Sequence, residues 1–217
     1  MLGVHMKHET CADAPGSIIL LQEYNHRMLN EYAVAIAGVS LAATAMTSAK
    51  SRAALTAARD RLFAIAEMHR ALQAPLTGAV EVAGYLETVC SAASQLLTSG
   101  RRLVLRCCEQ RIVLPAGHAW RIGLIMSELI TNAAKHGRPG GDIVVETRMI
   151  DQHLVCSVVN ERCGLSTRGG GAGKTIVDFL AGHIGGHLER HVDDARIAVR
   201  LAVPTGSSIA LDTGSAG

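Results

Sequence analysis

The sequence predicts an α+β protein: an N-terminal antiparallel helical hairpin followed by an α/β layer of mixed, largely antiparallel strands. Three observations predict it. Hydrophobic residues make up 48% of the 217 residues but aromatics only 3%, so Ala, Leu, Ile and Val must fill the core, which favours helical packing. Apolar residues recur by threes and fours from Leu21 to Leu72. After Pro75 the pattern changes, and β-rich runs alternate with helical ones.

The elements follow in order. Ser17 caps a helix that continues to about Ser48, with Leu21, Tyr24, Met28, Tyr32, Ala35, Val39, Ala42 and Met46 along one seam. His26 lies about 160° from Met28, on the side away from that seam. A second helix runs from about Ser51 to Gln73, with Leu55, Ala58, Leu62, Ile65, Met68 or His69, and Leu72 as its seam. The short turn between them makes an antiparallel pair. Two helices alone bury too little surface, so a dimeric four-helix bundle is the natural completion.

Pro75 to Gly78 reads as a linker. A helix near Val80–Thr98 precedes strand-like segments at Arg102–Cys107 and Arg111–Leu114, and a helix spans about Ala116–His136. Strands follow at Ile143–Met149 and Leu154–Val159, joined at Asp151-Gln152. A glycine-rich loop, Arg168–Gly173, opens a helix to about Ile184, and His187–Val192 and Arg196–Val203 form a last hairpin. The domains expected are a tail over 1–16, the hairpin over 17–75, the α/β domain over 76–205 and a tail over 206–217.

Net charge is +2 with no long basic run, which gives nucleic acid binding no electrostatic support. The six cysteines contain no C-x-x-C pair and read as reduced thiols of a cytosolic protein. No unbroken run of 18 apolar residues is present, so no membrane span is expected.

Three groups of residues carry chemistry. In the helix around Glu128, Ile122, Ile125, Met126, Leu129 and Ala133 form the apolar face. Glu128, Asn132 and Lys135 share the other. A carboxylate can orient a hydroxyl, an amide oxygen suits Mg²⁺ and a lysine suits phosphate oxygens, although any solvated helix presents a polar face. The glycines of Gly169–Gly173, before Lys174-Thr175, let backbone N–H groups approach a phosphate. They do not make a Walker A loop, because Arg168 stands at its first glycine position. His26, exposed and neutral, can attack a phosphorus through a ring nitrogen, with Glu23 or Arg27 orienting the ring or steadying the phosphoryl group. His183, His187 and His191 recur every four residues, but Gly185-Gly186 interrupts them and argues against a zinc site.

Together these residues resemble the transmitter region of bacterial sensor histidine kinases, most closely the HWE-like branch. Glu23-x-Asn25-His26-Arg27-x-x-Asn30 is similar to the phosphoacceptor box, and Arg61–Leu72 to the second bundle helix. Glu128-Leu129-x-x-Asn132-Ala133-x-Lys135-His136-Gly137 is similar to the N box of the ATP-binding domain. Gly171-x-Gly173, Ile176-Val177 and Gly185-Gly186 resemble the later glycine box and its helix. The resemblance covers about residues 17–203. It implies a Bergerat-type sandwich, ATP and Mg²⁺ as cofactors, phosphorylation of His26 and transfer to a response-regulator receiver domain. It further implies that Glu128 assists the attack, Asn132 holds Mg²⁺ and Lys135 contacts phosphate. Asn160, Gly164, Gly171, Gly173 and Lys174 would line the nucleotide site.

The chain differs from the family pattern in three places. Asn160-Glu161-Arg162-Cys163-Gly164 stands where an Asp and a first glycine are usual, so adenine recognition loses charge assistance. The lid between Gly164 and Gly171 is short, and Leu29 replaces a usual lysine. Two further functions therefore stay open: a phosphotransfer or phosphatase relay with a degenerate ATP domain, and a non-catalytic partner-binding dimer. No sensor domain is recognisable, so the signal is expected to arrive through a partner, such as a separate sensor protein, or through the short tail.

Overall fold

The computed structural model describes residues 15–73, 78–97, 100–163 and 172–205; for 15–22 and 172–174 only the backbone is described. Both expected tails beyond these limits, the linker residues 74–77 and the loop 164–171 lie outside the described residues. Contacts divide the chain into two compact units, Met1–His69 and Arg70–Gly217.

The first unit is helical. Helix α1 spans Pro15–Ala45 and α2 spans Ala49–Ala71, both ending slightly before the expected positions. The connection is tied down by Arg52, which donates to the Met46 carbonyl at 2.7 Å. Tyr32 of α1 lies beside His69 of α2, with the hydroxyl 3.2 Å from Nε2, so the chain must double back as an antiparallel pair. The seam includes half-buried Met28, Tyr32, Val39, Ala42 and Met46, as expected, but Ala43, Ala64 and Ala66 are its buried members. Tyr24, Ala35 and Ala58 are exposed instead. The reason is geometric: two helices cover only part of each apolar stripe, and Val34, Leu41 and Phe63 also remain outside. By length and composition, the stretch Glu23–Ala45 of this unit (hydropathy 1.3) would be long and apolar enough to cross a membrane. Its alanine-rich sequence reaches that average without the unbroken apolar run on which the expectation of no span rested.

The second unit is the α/β layer. Strand β1 (Ala79–Glu81) leads into α3 (Val82–Leu96); β2 (Leu103–Arg106) and β3 (Val113–Pro115) precede α4 (Ala116–His136). Strands β4 (Ile143–Ile150) and β5 (His153–Glu161), helix α5 (Ala172–Gly182), and strands β6 (His187–Val192) and β7 (Arg196–Pro204) complete it. The main sheet has the order β2-β4-β5-β7-β6, with β2 and β4 parallel and the other pairs antiparallel. Strand β1 was not expected. It pairs with β3 and ends at Glu81, whose carboxylate accepts from the N–H groups of Ala83 and Gly84 and caps α3. Three residues are too few to show a strand period in sequence.

Alternation decides which sheet face is covered. Ile143 and Val145, then Leu154, Cys156 and Val158, then Leu201 and Val203 are buried. So are Leu86 and Val89 of α3, Ile122, Ile125, Met126 and Ile130 of α4, and Val177 and Ala181 of α5. Replacing one such leucine by alanine costs about 2–5 kcal/mol. Gly123 of α4 is required where Tyr85 crosses it, since a Cβ there would lie 2.5 Å from the phenolic oxygen. Strand β6 forms one sheet edge and carries His187, Glu189, Arg190 and His191, all exposed.

The β4–β5 turn places Asp151 and Gln152 at φ 46 and 62, the left-handed region that disfavours a Cβ by about 1–2 kcal/mol. A glycine loses roughly 0.5–1 kcal/mol of that gain to chain entropy. Gln152→Gly should therefore raise stability by about 0.5–1 kcal/mol, read as a higher urea midpoint with unchanged slope. Burial pushes the Cys90 and Cys156 thiols up to about 12. Unfolded thiols ionise near 9.0, so above that pH the unfolded chain releases protons that the folded chain keeps. Stability should fall as pH rises from about 9 towards 12, and both thiols should resist alkylation in the native protein while exposed Cys163 reacts.

Candidate functional site

On α1, Glu23, His26, Arg27 and Asn30 all lie on the exposed side. Arg27 Nε donates to Glu23 Oε1 at 2.8 Å, one helical turn apart. The side chains are 73% and 57% exposed, so the pair contributes little to stability. The guanidinium does hold the Glu23 carboxyl below its ordinary range, first through this hydrogen bond and then through its charge. Among the described residues, neither Glu23 nor Arg27 is hydrogen-bonded to the His26 ring. The Asn30 amide is, with Nδ2 3.3 Å from Nδ1. The i, i+4 spacing of His26 and Asn30 is the signal that would have found this contact.

Helix α4 holds the second group. Its apolar face is buried, which leaves Glu128 and Asn132 half-buried and Lys135 exposed. Asn132 Nδ2 donates to Glu128 Oε1 at 3.0 Å. The amide is thereby oriented, and its oxygen is the end left for a ligand. Among the described residues Lys135 makes no hydrogen bond or ion pair, so its ammonium is available to an anion.

Strand β5 ends against the C-terminus of α4. Arg138 N donates to Glu161 O at 2.9 Å, and Gly137 bridges to Arg162. Arg101 reaches the Gly137 carbonyl at 2.8 Å. Asn160, 6% exposed, sits against Gly137. Its Nδ2 donates to the Glu161 carbonyl at 3.0 Å, so the amide oxygen is the end left to accept. Arg162 stands where the family pattern has a glycine. Its guanidinium points to the Asp193 carbonyl at 3.4 Å, in the β6–β7 turn.

Glu128, Asn132, Lys135 and Asn160 therefore gather on α4 and the adjoining end of β5. Gly173 and Lys174 lie in the first turn of α5, for which only the backbone is described; Gly164 and Gly171 lie outside the described residues. Among the described residues no His, Cys, Asp or Glu cluster could hold a metal. His183 bonds its own helix at the Phe179 carbonyl, while His187 and His191 share Glu189.

Known proteins resemble this chain in part of its sequence and in its fold. Residues 23–97 match the model of the HisKA_2 family, described as histidine kinase. No curated protein matches the chain. Among solved structures, the histidine kinase domain of the Erythrobacter litoralis EL346 blue-light activated histidine kinase matches with TM-score 0.56 at 19% identity, covering 81% of this chain and 96% of that one. A bacterial phosphotransferase matches with TM-score 0.57 at 12% identity, covering 87% and 97%. Full-length ShkA in complex with AMPPNP matches with TM-score 0.51 at 18% identity, covering 85% and 45%. At these identities the likeness is one of fold: two N-terminal helices followed by a mixed α/β domain. The family match is confined to residues 23–97, which take in the hairpin from Glu23 onward, with His26, and helix α3.

A Cβ at Gly137 would lie 2.6 Å from the Ala133 carbonyl oxygen and 2.6 Å from Asn160 Nδ2. Backbone cannot yield cheaply there. Gly137→Ala should therefore lower the unfolding free energy by about 1–3 kcal/mol in urea titration. An unchanged value would show that the end of α4 can move off β5.

Proposed function

We propose that this chain is a two-component histidine kinase that phosphorylates itself on His26 from ATP and passes the phosphoryl group to an aspartate of a response-regulator receiver domain. The observation that carries the reading is the polar face of α4, where Asn132 is oriented by Glu128 at 3.0 Å beside an unpaired Lys135. The family match over the hairpin that bears His26 supports it. In this reading residues 17–75 dimerise and carry the phosphoacceptor, and 76–205 bind nucleotide.

Asn132 Oδ1 would hold Mg²⁺, a hard cation that takes oxygen ligands and would neutralise charge on the nucleotide. Lys135 neutralises the phosphates, and the Asn160 amide oxygen accepts from the adenine amino group. Glu128 orients Asn132 and assists the attack through its second oxygen. The Gly171–Gly173 backbone would line the phosphate site, with Gly164 and Lys174 also contributing to nucleotide binding. Arg27, paired through Nε, keeps its outer nitrogens for the γ-phosphate. The exposed apolar residues Tyr24, Val34, Leu41 and Phe63 support completion of the hairpin as a homodimeric four-helix bundle. A cytoplasmic location and a separate sensor protein complete the proposal.

Incubation with γ-labelled ATP and Mg²⁺ tests it. Wild type should acquire acid-labile, base-stable label, and His26→Ala and Asn132→Ala should not. Equal labelling of His26→Ala would remove His26 from the role. A folded wild type that takes no label from ATP, yet accepts phosphate from a phosphorylated receiver domain, would identify a relay instead.

A further inference from the structure

Among the described residues, one side chain is hydrogen-bonded to the His26 ring. Asn30, a turn further along α1, brings its amide to 3.3 Å from Nδ1. The carboxylate of Glu23, one turn before His26, is engaged by Arg27 at 2.8 Å. Orientation of the ring therefore rests on a neutral amide.

A neutral imidazole has one N–H and one lone pair, and only the nitrogen with the lone pair can attack phosphorus. The amide offers a donor end and an acceptor end at nearly the same positions, exchanged by half a turn of its terminal bond. If Nδ2 donates, the Nδ1 lone pair is occupied and Nε2 carries the proton, so neither nitrogen is a nucleophile. If Oδ1 accepts from Nδ1–H, the lone pair falls on Nε2. That nitrogen is the one farther from the backbone, on a residue exposed to solvent.

We propose that Asn30 is a positioning residue for phosphoryl transfer: its amide oxygen accepts from Nδ1–H and holds His26 in the tautomer whose Nε2 attacks. This rests on the proposed phosphorylation of His26 and deepens it. The Nε2 lone pair forms the N–P bond, the bond from γ-phosphorus to the bridging oxygen breaks, and its electrons leave with ADP. The ring becomes a phosphoimidazolium that keeps its Nδ1 proton on Asn30 Oδ1 until solvent takes it. An amide suits this task beside Arg27, because it accepts the hydrogen bond without being drawn into an ion pair.

The test reads the tautomer directly. Long-range ¹H–¹⁵N correlation of the histidine rings, in mildly alkaline solution, assigns His26 by comparison with His26→Ala. Wild type should show the Nδ1–H form, Asn30→Ala should revert to the Nε2–H form of free histidine, and Asn30→Asp, which keeps an acceptor, should restore Nδ1–H. An Nε2–H ring in wild type, or no change in Asn30→Ala, overturns the proposal. Phosphoramidate, a small donor that needs no nucleotide, supplies the second readout. Label should form on Nε2 in wild type, and its rate should fall about tenfold in Asn30→Ala, the equivalent of one hydrogen bond. An Nδ1-linked label or an unchanged rate speaks against the role. A wild type with the Nδ1–H ring that takes no label from ATP would sink the kinase reading alone, whereas ATP labelling of a protein with an Nε2–H ring would sink the role of Asn30 alone.

Discussion

Helix α4 has two faces, and the burial of one dictates the use of the other. Ile122, Ile125 and Met126 are fully buried and Ile130 nearly so, which fixes the rotation of the helix over the sheet. Glu128, Asn132 and Lys135 then have no freedom to turn inward. The bond from Asn132 to Glu128 removes the remaining ambiguity, that of the amide itself. Packing sets the helix, the helix sets the spacing, and one hydrogen bond sets which atom faces a ligand.

The same logic extends to β5. Its inward residues pack beneath α4, and the strand carries Asn160 to the end of that helix, where Gly137 makes room for it. A side chain at 137 would separate the two. The site is thus a by-product of core formation, with a single glycine setting the distance of closest approach. In the helical unit the constraint is weaker. Its pair of helices shields alanines at 43, 64 and 66 but leaves Tyr24, Val34, Leu41 and Phe63 outside.

Local signals were the legible ones. Helix α4 was placed with its observed ends because Pro115 precedes it, Gly137 follows it and the apolar spacing between them is regular. The shared face of Glu128 and Asn132 follows from the helical repeat alone. Strand β1 was not legible, since its pairing with β3 involves residues far apart in sequence. Nor was the direction of Arg162, which depends on the turn after β6. The seam of α1 was read partly out of place because Tyr24 and Ala35 satisfy the spacing yet find nothing to cover them. Asn30 was visible as a motif residue, but its contact with the ring needed coordinates.

The sheet ends at β6, and the character of that edge governs how the protein behaves when crowded. A bare strand edge invites another strand to add to it, and long apolar edges seed fibres. Here His187, Glu189, Arg190 and His191 stud the edge with groups that another strand would have to strip of water. Adding a strand at this edge is thereby made costly, although Val192 at its end is apolar and exposed. A margin so hydrated keeps its strand only loosely attractive to another, and admits a newcomer at the cost of the water it holds.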